Sequence, residues 1–487
     1  MQEGRIILKG TITNDCPIGI GSGKDAHSDR DVVLTLYPMA SANTILEAWP
    51  DEEASFMKAM PFIPATSFLG KVNSMLLKNS QMIEYWGQSE ENASFIDCSD
   101  VMITKLPDYV NDDCSNLTEV RDGIRMNSLS GTVSEGAKFD YELLGAGADF
   151  CMTIIFRIEN NYDIAMEIAS AIVKLIKDGI DIGSKSTVGY GRLKGSATLF
   201  GLDFSNPQDF TNWIDGSYSK PDYVINMITP VATTLLADEA NIFEIKGSFR
   251  IKNSLIIRSY STNPEAPDSA HLKSGGRNII SGSSIKGALR GRAERILNVI
   301  HADETITEAL IASLFGDVEK DPNDKQKVRP DGYTVPSRVF VNEIPVENVR
   351  EDVQTRIQID RFTGGTVDSA LIEEVPLFPM QNKSRQIENL RISIKNAQPE
   401  EKGLMLLLLK DLWTADLPVG GEKAIGRGVL EGISSIITDG KTCYSISEEP
   451  HGLEKLTELQ KYVADLTNLT NFDFHTERIE NYKNKKK

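Results

Sequence analysis

The chain has 487 residues, 40% hydrophobic and 25% charged, with a formal net charge of −18. That length predicts roughly two to four domains with sizeable cores. No apolar run approaches the ~18–20 residues a membrane helix needs. The acidic balance argues against a free-standing nucleic-acid binder, although a basic groove can sit on an acidic body.

In chain order, the opening "MQEGRIILKG" starts with charge and then alternates, reading as a strand rather than a secretory leader. Five cysteines (Cys16, Cys98, Cys114, Cys151, Cys443) are scattered without a CxxC pair. They read as reduced thiols of a cytoplasmic protein, not a disulfide frame or a zinc site. A hydroxyl-rich anchor, "PATSFLG" (64–70), precedes a helix, and "IRMNSLSGTV" (124–133) follows. Ile164, Ile168, Ile172, Leu175 and Ile176 recur at helical spacing, with Gly179 placed as a C-cap. That helix runs into "IGSKSTVGYGRLKG" (182–195), which holds four glycines.

The series then recurs. "ILKGTI" (7–12) resembles "EIKGSF" (244–249), pairing Gly10 with Gly247 at an offset of 237. "PATSFLG" resembles "SGSSIKG" (281–287) at an offset of 217. "IRMNSLSGTV" resembles "IQIDRFTGGT" (357–366) at 233, and "GSKSTVGYGRLKG" (183–195) resembles "GGEKAIGRGVLEG" (420–432) at 237 again. The seam falls near 225–242, giving domains at 1–225 and 242–440 and a C-terminal helix and basic tail at 441–487. In copy two, Ile285, Leu289, Ile296 and Ile300 form a helical stripe, with Ser283 or Ser284 as the natural N-cap. The charged insertion "VEKDPNDKQKVRPDGY" (318–333) reads as a loop. In the tail, Leu453, Leu456, Val463 and Leu466 predict a helix that packs on its own domain before "KNKKK". Strand, helix, strands, helix, strand is the ferredoxin-like order, so the expected fold is α+β with two tandem ferredoxin-like domains.

The loop at 182–195 resembles the end of a phosphate-binding P-loop, but the spacing, the preceding helix and the duplicate all exclude one. The duplicate has no hydroxyl after Lys423. What both copies keep is glycine: Gly183, Gly189 and Gly191 match Gly420, Gly426 and Gly428. Such glycines permit either close packing of backbones or backbone contact with a polyanion. The basic neighbours Lys185, Arg192, Lys423 and Arg427 favour the polyanion.

"GSSIKGALRGRAE" (282–294) and the two glycine loops resemble the RAMP superfamily. More narrowly, each copy resembles the Cas-seven-type backbone subunit of type III CRISPR effector complexes. "IQIDRFTGGTVDSALIEEVPL" (357–377) is similar to that family's thumb segment. The resemblance covers nearly the whole chain twice, like the tandem fusions of type III-D effectors. It implies a subunit that binds crRNA and target RNA among a large subunit, small subunits and other backbone subunits. The guide contacts it implies are Ser283, Ser284, Lys286 and Arg290 in copy two, with Gly426, Gly428, Lys423 and Arg427. In copy one they are Thr66, Ser67, Lys71, Lys185, Gly189, Gly191 and Arg192. Copy one has Leu69 in place of the motif lysine and Asn73 in place of Arg290, and copy two has Ser281 where proline is usual. The thumb wedges implied are Met126 and Leu129, and Ile359 and Phe362; ordinary core packing is the alternative for these four.

The resemblance also implies target-RNA cleavage by one metal-dependent aspartate per copy. These are Asp29 and Asp268, with Asp31 a near alternative to Asp29 and Asp25 a more distant one. A carboxylate holding Mg²⁺ or Mn²⁺ could stabilise charge on a scissile phosphate. His27 and His271 lie within three residues of candidate aspartates, and His271 reads as a strand residue. The alternatives are a non-catalytic guide-RNA scaffold and a stand-alone ribonuclease that processes precursor crRNA with a histidine base.

Overall fold

The computed structural model describes residues 2–21, 60–87, 93–111, 114, 116–126, 133–219, 226–236, 241–260, 266–301, 303–318, 320–321, 324–328, 333–383, 385–447, 457–470 and 472. Asp25, His27, Asp29, Asp31, Leu129, Leu453 and Leu456 lie outside these residues, as does the side chain of Met126. The chain divides into two compact units: 1–121, 139–186 and 190–238 form the first, and 122–138, 187–189 and 239–487 form the second.

In the first unit, β1 (Glu3–Asn14) lies between β6 (Arg192–Asp203) and β5 (Asp149–Glu159), and β2 (Val101–Lys105) flanks β5. All these pairings are antiparallel. With α1 (Ala65–Met75) after β1 and α2 (Tyr162–Asp178) after β5, the order is ferredoxin-like. The 3.6-residue pattern of α2 buries Met166, Ile168, Ile172, Leu175 and Ile176 on the sheet. Each large aliphatic buried this way contributes about 1.5–3 kcal/mol. Gly179, at φ 98°, ends α2 by donating its N–H to Leu175 O at 2.8 Å. A two-stranded ribbon, β3 (Thr118–Met126) with β4 (Val133–Leu144), pairs only with itself among the described residues; its base is in the first unit, and its residues 122–126 and 133–138 are counted with the second.

The second unit repeats the plan. Its sheet runs β14 (Thr442–Ser447), β13 (Leu430–Asp439), β7 (Ile242–Ile251), β12 (Ile387–Lys395), β9 (Val339–Val341), again antiparallel. A short strand, β8 (Ser269–His271), and then α3 (Gly282–Ile300) follow β7, and α5 (Pro399–Trp413) follows β12. The ribbon here is β10 (Gln354–Ile359) with β11 (Thr366–Val375). β7 carries a bulge near Ser248, where β1 runs without a break.

The N-cap of α3 is Ser281, not Ser283 or Ser284: its hydroxyl accepts from Ser284 N at 3.3 Å. Copy one places Pro64 at this point. Ahead of the loop expected over 318–333, α4 (Glu304–Phe315), capped by Asp303 and Gly316, buries Leu310 and Leu314 in the core. The insertion itself begins as short ladders, Asp317–Val318 with Thr334–Val335 and Lys320–Asp321 with Asp324–Val328. α6 (Thr457–Thr467) lies on α5, burying Leu459 and Leu466. Among the described residues, no helix is long and apolar enough to cross a membrane.

Candidate nucleic-acid interface

The two copies match hydrogen bond by hydrogen bond around the glycine loop. Ile182 N donates to Gly191 O and Val419 N to Gly428 O, at 2.8 and 2.9 Å. Gly191 N reaches Pro17 O at 2.9 Å, and Gly428 N reaches Ser254 O at 2.7 Å. Every one of these partners is displaced by 237 residues. The glycines are required by this turn. Gly191 and Gly428 sit at φ 80° and 74°, and a Cβ would run into the carbonyl oxygens of Ile182 and Val419. Their first duty is therefore close backbone packing. Gly426 has room before it, its nearest neighbour being the Asn253 side chain at 3.7 Å, whereas Gly189 is packed against the backbone at 342–343 in the same unit.

The basic residues of the loop do not form one series. Arg192 donates to Asp178 O at 2.6 Å and pairs with Asp181 at 3.2 Å, so it closes the carboxyl end of α2. Arg427 is 3% exposed and pairs with Glu422 at 2.5 Å and Gln354 at 2.6 Å. It is an internal strut, because its guanidinium is consumed by buried partners. Lys185, at φ 56°, lays its ammonium 3.2 Å from the Tyr141 ring centroid and 4.3 Å from that of Phe139. Burial pushes its pKa down to about 8. Lys423 is held below the usual lysine range by desolvation and by Arg295.

The exposed face of α3 carries Ser283, Gly287, Arg290, Gly291 and Glu294, opposite the buried Ile285, Leu289, Ala293 and Leu297. A Cβ at Gly287 or Gly291 would meet nothing within 4 Å. The corresponding Gly70 in α1 is equally open. Lys286 flanks the face. Its ammonium lies 2.9 Å from Thr187 Oγ1, and burial, then Arg290, brings its pKa down to about 7. Arg290 is exposed and 3.4 Å from Glu294. In copy one, Thr66 is exposed, and Ser67 and Lys71 are half-buried. There the Asp100 carboxylate accepts from Ala65 N at 2.9 Å, placing a negative charge at the start of α1.

The ribbon β10–β11 exposes a continuous apolar surface. Phe362 is 100% exposed, with Ile359 at 59%, Leu371 at 58% and Ile357 at 52%. Core packing is thereby excluded for Ile359 and Phe362. Asp360 holds the tip, accepting from the N–H groups of Phe362 and Thr363 at 2.8 and 2.9 Å. Those two bonds lower its pKa. Asp268 is exposed where β8 begins, and its Oδ2 accepts from Glu373 N at 2.8 Å. His271 is 3% exposed; Nδ1 accepts from Ile257 N, and Nε2 lies 2.8 Å from Ile279 O. Burial lowers its pKa to about 4, so it is a neutral strut of the strand.

A family profile described as the RAMP superfamily matches residues 57–194 and 248–431, about two thirds of the chain. The chain belongs to the RAMP superfamily. No curated protein matches it. Among solved structures, it is similar to the cryo-EM structure of the type III-B Cmr-beta bound to cognate target RNA. That match has 13% identity and a TM-score of 0.30, over 39% of this chain and 96% of the other. Each RAMP segment contains one anchor helix, one ribbon and one glycine loop. Sequence reasoning missed the acidic partners of the RAMP loop in copy two, Glu374 and Glu422, because they lie 48 residues apart and meet only in the fold.

Proposed function

We propose that this protein is a tandem pair of Cas-seven-like subunits in a type III CRISPR effector, of the III-D kind, which holds crRNA and target RNA. The observation that carries the reading is the exposed face of α3, where open glycines are bordered by Lys286 and Arg290. Helix-interior glycines cost about 0.5–1 kcal/mol relative to alanine. Here the protein's own packing gives no reason for them, whereas a phosphate backbone lying against the helix would. Backbone contacts of this kind position RNA without reading its sequence. The apolar ribbon provides a wedge against base pairs.

Target cleavage is assigned to Asp29 and Asp268. Among the described residues, no group of three or more His, Cys, Asp or Glu side chains could hold a metal ion. One exposed carboxylate suits Mg²⁺ or Mn²⁺ that keeps most of its waters and bridges to substrate phosphate. The metal would supply charge stabilisation at the scissile phosphate. Asp268 is oriented for this by the Glu373 N–H.

Asp29→Asn and Asp268→Asn together, in the assembled complex with Mg²⁺, should abolish cleavage and leave guide binding intact. Persistent cleavage at the same positions refutes the catalytic assignment. Retained binding with no cleavage in the unaltered complex favours the scaffold reading. The processing-nuclease reading loses its base at His271, since a buried imidazole cannot reach RNA.

A further inference from the structure

Both ribbons are tied at their base to their own glycine loop, and the two ties occupy the same three positions with different chemistry. At the ribbon offset of 233, Tyr141 corresponds to Glu374; at the loop offset of 237, Lys185 corresponds to Glu422 and Tyr190 to Arg427. The backbone agrees: Lys185 and Glu422 sit at φ 56° and 57°. In the first unit the Lys185 ammonium caps the Tyr141 ring, and the Tyr141 hydroxyl lies 3.2 Å from that of Tyr190, itself 1% exposed. In the second unit, Glu374 and Glu422 share Arg356, and Arg258 bridges them at 2.7 and 3.4 Å. Arg427 completes the set by joining Glu422 to Gln354.

The ribbon's register gives this tie a direction. Gln354 faces Glu374 and Arg356 faces Ile372 on one side; Ile357 faces Leu371 on the other. The tied side is the one bearing Gln354, Arg356 and Glu374. The opposite side bears Ile357 and Leu371, both more than half exposed; on the tied side the ion pairs cover the base at Gln354 and Glu374, and Ile372 beyond them is 48% exposed.

We propose that positions 141, 185 and 190, and their counterparts 374, 422 and 427, are positioning residues that clamp each ribbon to its glycine loop and so decide which ribbon face is open to a ligand. One clamp is a cation on aromatic rings and the other is an ionic lattice centred on the buried Glu374 and Arg427. The identity of that ligand as RNA rests on the proposed function; the clamp does not.

Hydrogen exchange on the full chain, without RNA, tests it. Lys185→Met should speed exchange of the amides of β3 and β4 by about 3- to 30-fold, the range of a cation–aromatic contact. Lys185→Arg, which keeps a cation over the rings, should retain slow exchange. Glu374→Gln should speed β10 and β11 by about tenfold or more, since it removes the charge of a carboxylate that is 1% exposed and holds both Arg258 and Arg356. Should that variant not fold, Gln354→Leu removes one acceptor from Arg427 and should give about threefold. Each change should act on its own ribbon alone. Unaltered ribbon exchange, or equal acceleration in β1, β5, β7 and β12, overturns the proposal. Because RNA is absent, failure here leaves the RNA-binding reading standing, and loss of RNA binding leaves the clamp standing.

Discussion

At the scale of single residues, Gly287 separates stability from binding. Its φ is helical and its Cβ position is empty. Gly287→Ala should therefore stabilise the isolated protein by about 0.5–1 kcal/mol while weakening guide RNA binding. Thermal melting and filter binding on one preparation check the two signs. Lys286 adds a pH dependence. Its pKa near 7 in the free protein should rise when a phosphate approaches, so binding takes up a proton. Affinity should increase as pH falls from about 8.5 to 6.5, and Lys286→Met should flatten that slope. The charges at 185, 192 and 427 show where reading from sequence reached its limit. All three look alike as basic neighbours of glycine. Their roles diverge because Asp178, Tyr141 and Gln354, distant along the chain, meet them in the fold.

Among elements, the ribbons behave unlike the rest of the chain. Side chains buried in α2 or α5 carry the cores, whereas Ile359 and Phe362 contribute almost no burial. Phe362→Ala with Ile359→Ser should leave urea unfolding within about 0.5 kcal/mol of the parent. The same double change should abolish the regular spacing of target cuts in the assembled complex, read on a sequencing gel. The apolar periodicity of α2 and the alternation of β1 were visible in the sequence because each of those elements faces one core. α4 was not read as a helix, although Asp303 and Gly316 bracket it and Ile306, Leu310 and Leu314 recur at helical spacing. The search for repeats passed over it, because the first copy offered no matching segment to draw attention to 304–315. Ile359 and Phe362 were expected as wedges from the resemblance, whereas the exposed Ile357 and Leu371 went unread, since alternation alone does not say which face has a partner.

For the molecule as a whole, a net charge of −18 confines any RNA to a local basic strip. In the second unit the candidates for it are two neighbouring pairs, Lys286 with Arg290 and Lys423 with Arg295. Four phosphate contacts would give log K against log salt a slope of about −3 on single-stranded RNA. Replacing Arg290 and Lys423 together should reduce the slope by about 1 to 2, measured by titration across salt. The repeat of the glycine turn was legible in its offset of 237, because matched backbone bonds keep that spacing while the side chains differ; the division of the chain was not, since 122–138 and 187–189 belong to the second compact unit. The repeat also shows why pairing Lys185 with Lys423 by charge fails. At 237 residues, Lys185 stands opposite Glu422, and the shared object is the turn rather than the cation.

Gly70 and Gly287 give the duplication another use. The two segments match the same family profile and differ so far that lysine stands in one where leucine stands in the other. Both still keep a hydrogen atom where a methyl group would fit and where helix formation alone would favour it. At the same point of the same motif, two helices of one chain thus forgo the same increment of stability, with no return from their own packing.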